Sequence, residues 1–265
     1  MRRLKFVKYE GLGNDFVIVD LADLAELSPD SASRICDRRF GVGADGVIVV
    51  LPPSDENHAA RMVVLNADGS RPEMCGNGLR CVALHLALRQ QADVSVFQVE
   101  TDAGVLSCEV ERSGEAALVT AEMGQAVLAG DHRDPESGFQ FALVSTGNPH
   151  AVTFQSEFDE QLVDRVGPAV SATQPKGANV EFAERVEGGF RVIVWERGVG
   201  RTMACGTGAV ATAVAACQEG YAAFDQPIEV TLPGGSLEVT VRKPELVTSL
   251  RGPARKVFVG EMTIS

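Results

Sequence analysis

The sequence predicts an α+β protein of two pseudo-symmetric domains, each a curved, mostly antiparallel sheet or barrel wrapped around a central helix. A Cys-Gly-x-Gly motif occurs twice, at Cys75 and at Cys205, about half the chain apart. Each copy lies in the same order of strand pattern, polar loop, helix pattern and hairpin pattern. The second helix has little polar surface, as expected of a helix at the centre of a domain. We expect the two helix N-termini, with their cysteines, to face one active-site cleft between the domains.

Further pairs of motifs support a duplication. They occur in the same order in both halves and at nearly the same spacing, which chance does not readily produce. We therefore predict one domain at 1–120, carrying Cys75, and a second at 121–265, carrying Cys205, with the last strand free to return to the first half. The matched pairs are Gly13–Val17 with Gly147–Ala151, Gly43–Asp45 with Gly177–Asn179, Asn66 with Glu196, and Gly104 with Gly234.

The elements of each half follow from local patterns. Valine, isoleucine and aromatic residues predict the strands, apolar residues at helical spacing predict the helices, and glycine-containing turns between apolar runs predict the hairpins. In the first half these are a strand at Arg61–Leu65, a helix over Leu79–Gln90 and a hairpin over Val94–Cys108; in the second they are a strand at Phe190–Trp195, a helix over Ala209–Cys217 that stops at Gly220, and a hairpin over Ile228–Val241.

Composition narrows the function classes. Of 265 residues, 45% are hydrophobic and 23% charged, and the net charge is -12. Such an acidic surface repels nucleic-acid phosphates and anionic membrane faces, so neither is an expected partner. The apolar runs are shorter than a membrane span needs, and the N-terminus does not read as a signal peptide. We expect a cytoplasmic protein that acts on a small molecule.

The six cysteines do not follow a disulfide or zinc pattern. The chain is large and has no secretion signal, which argues against a disulfide framework. There is no Cys-x-x-Cys and no histidine at ligand spacing from a cysteine pair, so no metal site is expected. Most of these thiols are expected to be small buried side chains. Only Cys75 and Cys205 stand in a setting that favours chemistry.

A thiol at a helix N-terminus is favoured as the thiolate, because the helix end carries about half a positive charge. The flanking glycines let backbone N–H groups approach a carboxylate closely. Two such sites on opposite sides of one substrate would remove the proton on an α-carbon and return a proton to the other face. These residues leave two alternatives open: a redox-active pair of thiols, and a protein that binds a ligand without catalysis.

At these motifs the sequence resembles the diaminopimelate epimerase family over almost its whole length. The resemblance implies cofactor-independent epimerisation of LL-2,6-diaminopimelate to the meso form, in bacterial lysine and peptidoglycan precursor synthesis, by a homodimeric isomerase. The segments that carry the resemblance are Gly11–Phe16, Asn66–Ser70, Met74–Cys81, Gly147–His150, Glu196–Gly198, Ala204–Ala209 and Leu232–Gly235.

The resemblance also assigns roles by position. It implies that Cys75 and Cys205 carry protons, while His150 and Glu196 lie near the reacting amine and tune the thiols. The N–H groups of four residues would hold the reacting carboxylate, and five side chains would hold the rest of the substrate, with no metal and no cofactor. The first set is Gly76, Asn77, Gly206 and Thr207; the second is Asn14, Asn66, Asn148, Asn179 and Arg197, with Glu196 also contacting substrate.

Rival functions and departures from the pattern remain. A racemase of another amino acid, of the proline or histidine type, would keep the mechanism and change the substrate. A non-catalytic ligand-binding or redox relative would keep only the fold.

The sequence departs from the family pattern at a few positions. Gly46 stands where some members carry Gln, and Gly177 where members often carry Arg, and both changes fall on the distal pocket. Phe258 lies near a position that is Tyr in some relatives and linked to the dimer contact.

Overall fold

The computed structural model describes residues 2–264, which form two units. The first unit contains the residues up to Ala121 together with those from Gly252 onward, and the second unit is Glu122–Arg251. Two strands run through the boundary between the units, β7 (Ala116–Gln125) and β16 (Val247–Ile264). The final strand therefore begins in the second unit and ends in the first.

The first unit is a closed barrel. Its strands follow the order β1-β2-β3-β4-β5-β6-β7-β16, and β16 pairs back onto β1. The pairings β2–β3 and β4–β5 are parallel, and a helix crosses between the strands of each parallel pair. The elements are β1 (Arg2–Gly11), β2 (Asn14–Asp20), α1 (Pro29–Cys36), β3 (Gly46–Leu51), β4 (Ala60–Asn66), α2 (Gly76–Gln90), β5 (Val94–Thr101) and β6 (Gly104–Ser113), with a short 3-10 turn at Leu24–Glu26.

Helix α2 forms the core of this barrel, and all its residues from Gly76 to Ala87 are buried. Strand β3 is covered on both faces. Val47 and Val49 pack in the cluster that includes α1, whereas Ile48 points toward Gly78 of α2. A strand buried on both faces reads as a continuous apolar run rather than as an alternating one.

The second unit repeats this order of elements. Its strands follow the order β16-β15-β14-β12-β11-β10-β9-β8, with parallel pairings β10–β11 and β12–β14 and a helix across each. The elements are β8 (Val127–Arg133), β9 (Gln140–Ser145), β10 (Pro149–Phe154), α3 (Glu160–Thr173), β11 (Asn179–Val186), β12 (Gly189–Glu196), β13 (Gly200–Arg201), α4 (Gly206–Gln218), β14 (Pro227–Leu232) and β15 (Gly235–Arg242).

Helix α4 is the counterpart of α2. It is buried along almost its whole length, which explains why its sequence is rich in alanine and valine on every side. Helix α3 covers the opposite face of the sheet, where Val163, Val166 and Val170 pack against Phe182. The α+β class and the buried central helices are confirmed, as are the predicted strands, both hairpins and both central helices.

The sequence patterns did not predict α1, α3 or the parallel pairings. Both helices have ordinary start signals. Ser28 caps α1 by accepting from the Ser31 N–H at 3.2 Å, and Asp159 caps α3 by accepting from the Leu162 N–H at 2.8 Å. No helix within residues 2–264 is long and apolar enough to span a membrane.

Candidate active site

Cys75 occupies the N-cap of α2. Its backbone is extended, with φ −138° and ψ 112°, and its Sγ accepts from the Gly78 N–H at 3.4 Å. A Cβ at Gly78 would lie only 2.8 Å from Ile48 Cδ1 and 3.2 Å from Met62 Cε, so the ends of these two side chains would have to shift for any larger residue. The sulfur therefore lies at the positive end of the helix dipole, where first-turn N–H groups have no partner within the helix.

Two of the predicted asparagines meet beside this helix start. Asn77 Nδ2 donates to Asn14 Oδ1 at 3.2 Å, and Asn14 Nδ2 donates to Asp45 Oδ2 at 2.7 Å. Arg38 in turn forms an ion pair with Asp45 at 2.7 Å. Asn66 lies at the end of β4, opposite Gly46 in the register. The Asn14 side-chain oxygen is thus held by Asn77, and its side-chain nitrogen is held by Asp45.

Arg80, on the first turns of α2, is fully buried. Its Nη2 donates to Asn77 Oδ1 at 2.8 Å, and its Nε donates to the Pro253 carbonyl at 3.2 Å. Burial lowers the pKa of Arg80 because it disfavours the charged form, while a negative charge on Cys75 acts in the opposite direction. Arg80 therefore orients Asn77 and places a cation in the electrostatic environment of Cys75.

Cys205 occupies the same N-cap position on α4 and is 6% exposed. Its Sγ lies 3.5 Å from Thr207 Oγ1 and 3.9 Å from Asn179 Nδ2, which donates to it. A Cβ at Gly208 would lie 3.3 Å from this sulfur and 2.8 Å from Glu181 Oε1. The glycine of the second motif therefore leaves room for a carboxylate, where the first motif leaves room for apolar side chains.

A buried hydrogen-bonded chain reaches the same helix start. His150 Nδ1 lies 2.7 Å from Glu181 Oε1, and both side chains have no exposed area. The other ring nitrogen lies 3.1 Å from Asn148 Oδ1, and Asn148 Nδ2 donates to Thr207 Oγ1 at 3.5 Å. The predicted residues His150, Asn148 and Thr207 are thus brought together, with Glu181 as a further member.

The acidic groups in this unit affect the thiol. Burial raises the pKa of Cys205 well above its usual value, and the negative charges of Glu196 and Glu181 raise it further. Burial also raises the pKa of Glu196, as does the charge of Glu181, although hydrogen bonds from Thr202 and Cys205 act against this. The second thiol is therefore held in an environment that favours its neutral form.

Arg197 and Asn179 meet at the edge of this group. The Arg197 N–H donates to Asn179 Oδ1 at 3.0 Å, and its guanidinium donates to the Lys176 carbonyl. Gly177 has a φ of +69°, and a Cβ there would lie 2.6 Å from Arg197 Cδ. The Arg197 side chain therefore packs against Gly177, whose positive φ favours glycine. The residue itself is exposed, which leaves a cation available to a ligand.

The sequence matches a protein family model and several known proteins. The diaminopimelate epimerase family model matches residues 6–129 and 142–257. The chain belongs to the diaminopimelate epimerase family. It is similar to the diaminopimelate epimerase of Synechococcus elongatus, with 41% identity over 284 residues that cover 99% of each chain. The one from Desulfitobacterium hafniense is 39% identical over 97% of each chain, and the chloroplastic enzyme of Oryza sativa subsp. japonica is 40% identical over 98% of this chain and 80% of the relative.

Solved structures of more distant proteins share the fold of this epimerase-family chain. A hydroxyproline epimerase from Agrobacterium vitis superposes with a TM-score of 0.75 at 15% identity, covering 98% of this chain and 92% of the other. A phenazine biosynthesis protein of the PhzF family from Bacillus anthracis superposes with a TM-score of 0.76 at 19% identity, covering both chains fully. At these identities the likeness establishes the fold alone.

Three polar residues at the two helix starts of this diaminopimelate epimerase family member were not predicted from the sequence: Asp45, Arg80 and Glu181. Asp45 had a signal, since it lies in one of the duplicated motifs. Arg80 and Glu181 had weaker ones. A charged residue in a helix or strand usually marks the solvent face, and only the structure shows that both are fully buried.

Proposed function

We propose that this chain converts LL-2,6-diaminopimelate to meso-diaminopimelate by a two-base mechanism with Cys75 and Cys205 as the proton carriers. The observation that carries the proposal is the paired N-cap position of these two cysteines, on the buried central helix of each unit. Family membership supports the substrate and the reaction. The thiols supply both the base and the acid, so the proposed chemistry draws on no cofactor.

In the proposed reaction one cysteine is a thiolate and the other is a thiol. The thiolate sulfur takes the α-proton, and the electron pair of the C–H bond moves into the adjacent carboxylate. The opposite thiol then gives its proton to the other face of the α-carbon and becomes the thiolate. N–H groups at the starts of α2 and α4 would stabilise the developing negative charge, as an oxyanion hole does. The contributing residues are Gly76, Asn77, Gly206 and Thr207.

The remaining predicted residues would hold the substrate. The guanidinium of Arg197 suits a second carboxylate, because it can donate two parallel hydrogen bonds. His150 and Glu196 would lie near the reacting amine and tune the Cys205 thiol, consistent with their shared environment. The binding amides would be those of Asn14, Asn66, Asn148 and Asn179.

We also propose that the protein is a homodimer that acts in the cytoplasm. Three consecutive apolar residues of β16, namely Val257, Phe258 and Val259, are 50%, 44% and 64% exposed, which favours contact with another apolar surface. The cytoplasmic location is supported by the chemistry, since both thiols must stay reduced and that compartment keeps thiols reduced. Sedimentation of the reduced protein would measure the dimer directly.

The test is a proton NMR assay of the reduced protein with LL-diaminopimelate in D₂O. We expect loss of the α-proton signal and formation of the meso isomer. Cys75→Ala and Cys205→Ala should each abolish inversion while the fold remains, and Cys217→Ala, a buried thiol at the other end of α4, is the matched control that should keep full activity.

Full activity in either of the first two variants would contradict the two-base assignment. Exchange of proline or histidine in place of diaminopimelate would keep the mechanism and move the substrate. No exchange with any of these amino acids would favour a binding protein.

A further inference from the structure

Glu181 is a buried carboxylate that the proposed mechanism does not use. Its side chain has no exposed area. One oxygen is bonded to His150, while Oε2 has no hydrogen-bond partner among the residues that the structure describes. Burying a carboxylate oxygen without a hydrogen-bond partner is unfavourable, because the hydration that it loses is not replaced. A residue kept there in spite of that penalty calls for a functional explanation.

The position of Glu181 links it to Cys205 in two ways. Directly, Glu181 Oε1 and Cys205 Sγ both lie within 3.3 Å of the point that a Gly208 Cβ would occupy. Indirectly, the bonded chain runs from Glu181 through His150 and Asn148 to Thr207, whose hydroxyl lies 3.5 Å from the sulfur. The carboxylate therefore acts on the thiol by its charge and by the orientation of the groups around it.

The first unit shows what the fold needs at these positions. In the parallel pair β2–β3, Phe16 aligns with Gly46, and in β10–β11, His150 aligns with Asn179. Two residues further along β3 and β11, this register makes Ile48 the counterpart of Glu181. The register differs by one residue from the pairing of Gly43–Asp45 with Gly177–Asn179 that the sequence predicted.

The helix glycines give the same correspondence independently. A Cβ at Gly78 would meet Ile48, and a Cβ at Gly208 would meet Glu181. In the first unit, Phe16 and Ile48 thus occupy the space that His150 and Glu181 occupy in the second unit. Since an apolar pair occupies this space beside the helix of the first unit, the fold does not require charged side chains there.

We propose that Glu181 is a positioning residue whose negative charge, held in place by the hydrogen bond to His150, keeps the proton on Cys205 in the resting protein. This inference rests on the proposed role of Cys205 as a proton carrier. The ionisable groups described around this thiol are Glu181 on β11, His150 on β10 and Glu196 at the end of β12. Two of the three are acids, and a nearby negative charge disfavours a thiolate. The direction of the Cys205 pKa agrees with this.

The test measures alkylation of Cys205 by iodoacetamide as a function of pH, in the wild type and in Glu181→Gln. Only the thiolate reacts, so the midpoint of the profile reports the proton on sulfur. Trypsin places Cys205 and Cys217 on the peptide Thr202–Arg242, and fragment ions distinguish the two. We expect the Cys205 midpoint to fall by about one pH unit, because removing a like charge favours the thiolate. An unchanged midpoint would overturn the proposal.

Two further variants separate charge from packing. Thr153→Val removes a buried hydroxyl on β10 that bonds to Gln155, and it should leave the Cys205 midpoint unchanged. The double variant Glu181→Ile with His150→Phe installs the apolar pair of the first unit. It should fold even if Glu181→Gln does not, and its midpoint should also fall. A midpoint equal to that of the wild type in the double variant would overturn the proposal.

Activity gives an independent readout. In Glu181→Gln we expect kcat to fall about tenfold with KM within a factor of two, because the change affects proton transfer and not substrate contact. A raised KM with unchanged kcat would assign Glu181 to binding and overturn the proposal. The alkylation profile requires no substrate, so failure of the proposed function, seen as no exchange with the wild type, is distinguishable from failure of this inference.

Discussion

Arg80 offers the sharpest test of how the first helix start is organised. Replacing Arg80 with methionine keeps much of the side-chain volume and removes the donors to Asn77 Oδ1, at 2.8 Å, and to the Pro253 carbonyl, at 3.2 Å. Each buried acceptor left unsatisfied costs roughly 1–3 kcal/mol. The burial that lowers the pKa of Arg80 is relieved in the variant and offsets part of this loss. We expect the free energy of unfolding to fall by about 2–3 kcal/mol.

The assay is urea-induced unfolding followed by circular dichroism. The matched control is Arg89→Met, on the same helix. Arg89 pairs with Asp20 at 2.7 Å, but the two side chains are 58% and 49% exposed, and an exposed ion pair contributes only about 0–1 kcal/mol. If Arg80→Met loses no more stability than Arg89→Met, then the bonds of the buried guanidinium do not stabilise the protein and the reasoning is wrong.

Two further predictions concern a glycine and a carboxylate. In Gly177→Ala, the added Cβ would lie 2.6 Å from Arg197 Cδ, at a φ of +69°. We expect the free energy of unfolding to fall by about 1–2 kcal/mol, and the displaced guanidinium to raise the KM for diaminopimelate without changing kcat. An unchanged KM in steady-state kinetics would contradict the role of Arg197. A hydrogen bond with His58 and backbone N–H groups lower the pKa of Glu100 from 4.5 to about 2. Its contribution to stability is therefore present above pH 4.5 and is lost as the pH falls toward 2. Glu100→Gln should show a smaller difference in urea midpoint between pH 7 and pH 3 than the wild type, and an equal difference would contradict this assignment.

The sequence predicted the elements whose signals are local. Strand β12 has a run of β-branched and aromatic residues, and α4 has alanine and valine on every face because every face is buried. The hairpins have glycine at their turns. These patterns depend only on neighbouring residues, so they could be read without the fold.

The crossover helices and parallel pairings could not be predicted in this way. Strands β2 and β3 are joined by a segment that contains α1, and they pair in parallel. The residue pattern of neither strand indicates which strand it pairs with. Strands β3 and β11 are also buried on both faces along most of their length. The usual alternation of apolar and polar residues therefore does not mark which side faces the helix.

The candidate site shows the same division. The cysteines, glycines and asparagines stand in motifs that repeat, so duplication made them visible. Arg80 and Glu181 do not repeat, because the positions that correspond to them in the other half carry uncharged side chains. Glu181 follows Val180 and precedes Phe182, and such an alternation ordinarily marks a solvent-facing residue. It is buried instead, because helices cover both faces of β11.

These differences bear directly on the proposed mechanism. Duplication alone would give two identical thiols, each at a helix N-terminus, and two equal thiols would share one proton without preference. Instead, the buried cation Arg80 lies in the electrostatic environment of Cys75. Two acids, Glu181 and Glu196, lie in that of Cys205. The negative charges of Glu196 and Glu181 favour a neutral thiol at the second cysteine. In the two-base proposal, the repeated architecture therefore supplies the geometry of proton transfer, and the residues that are not repeated determine which thiol holds the proton.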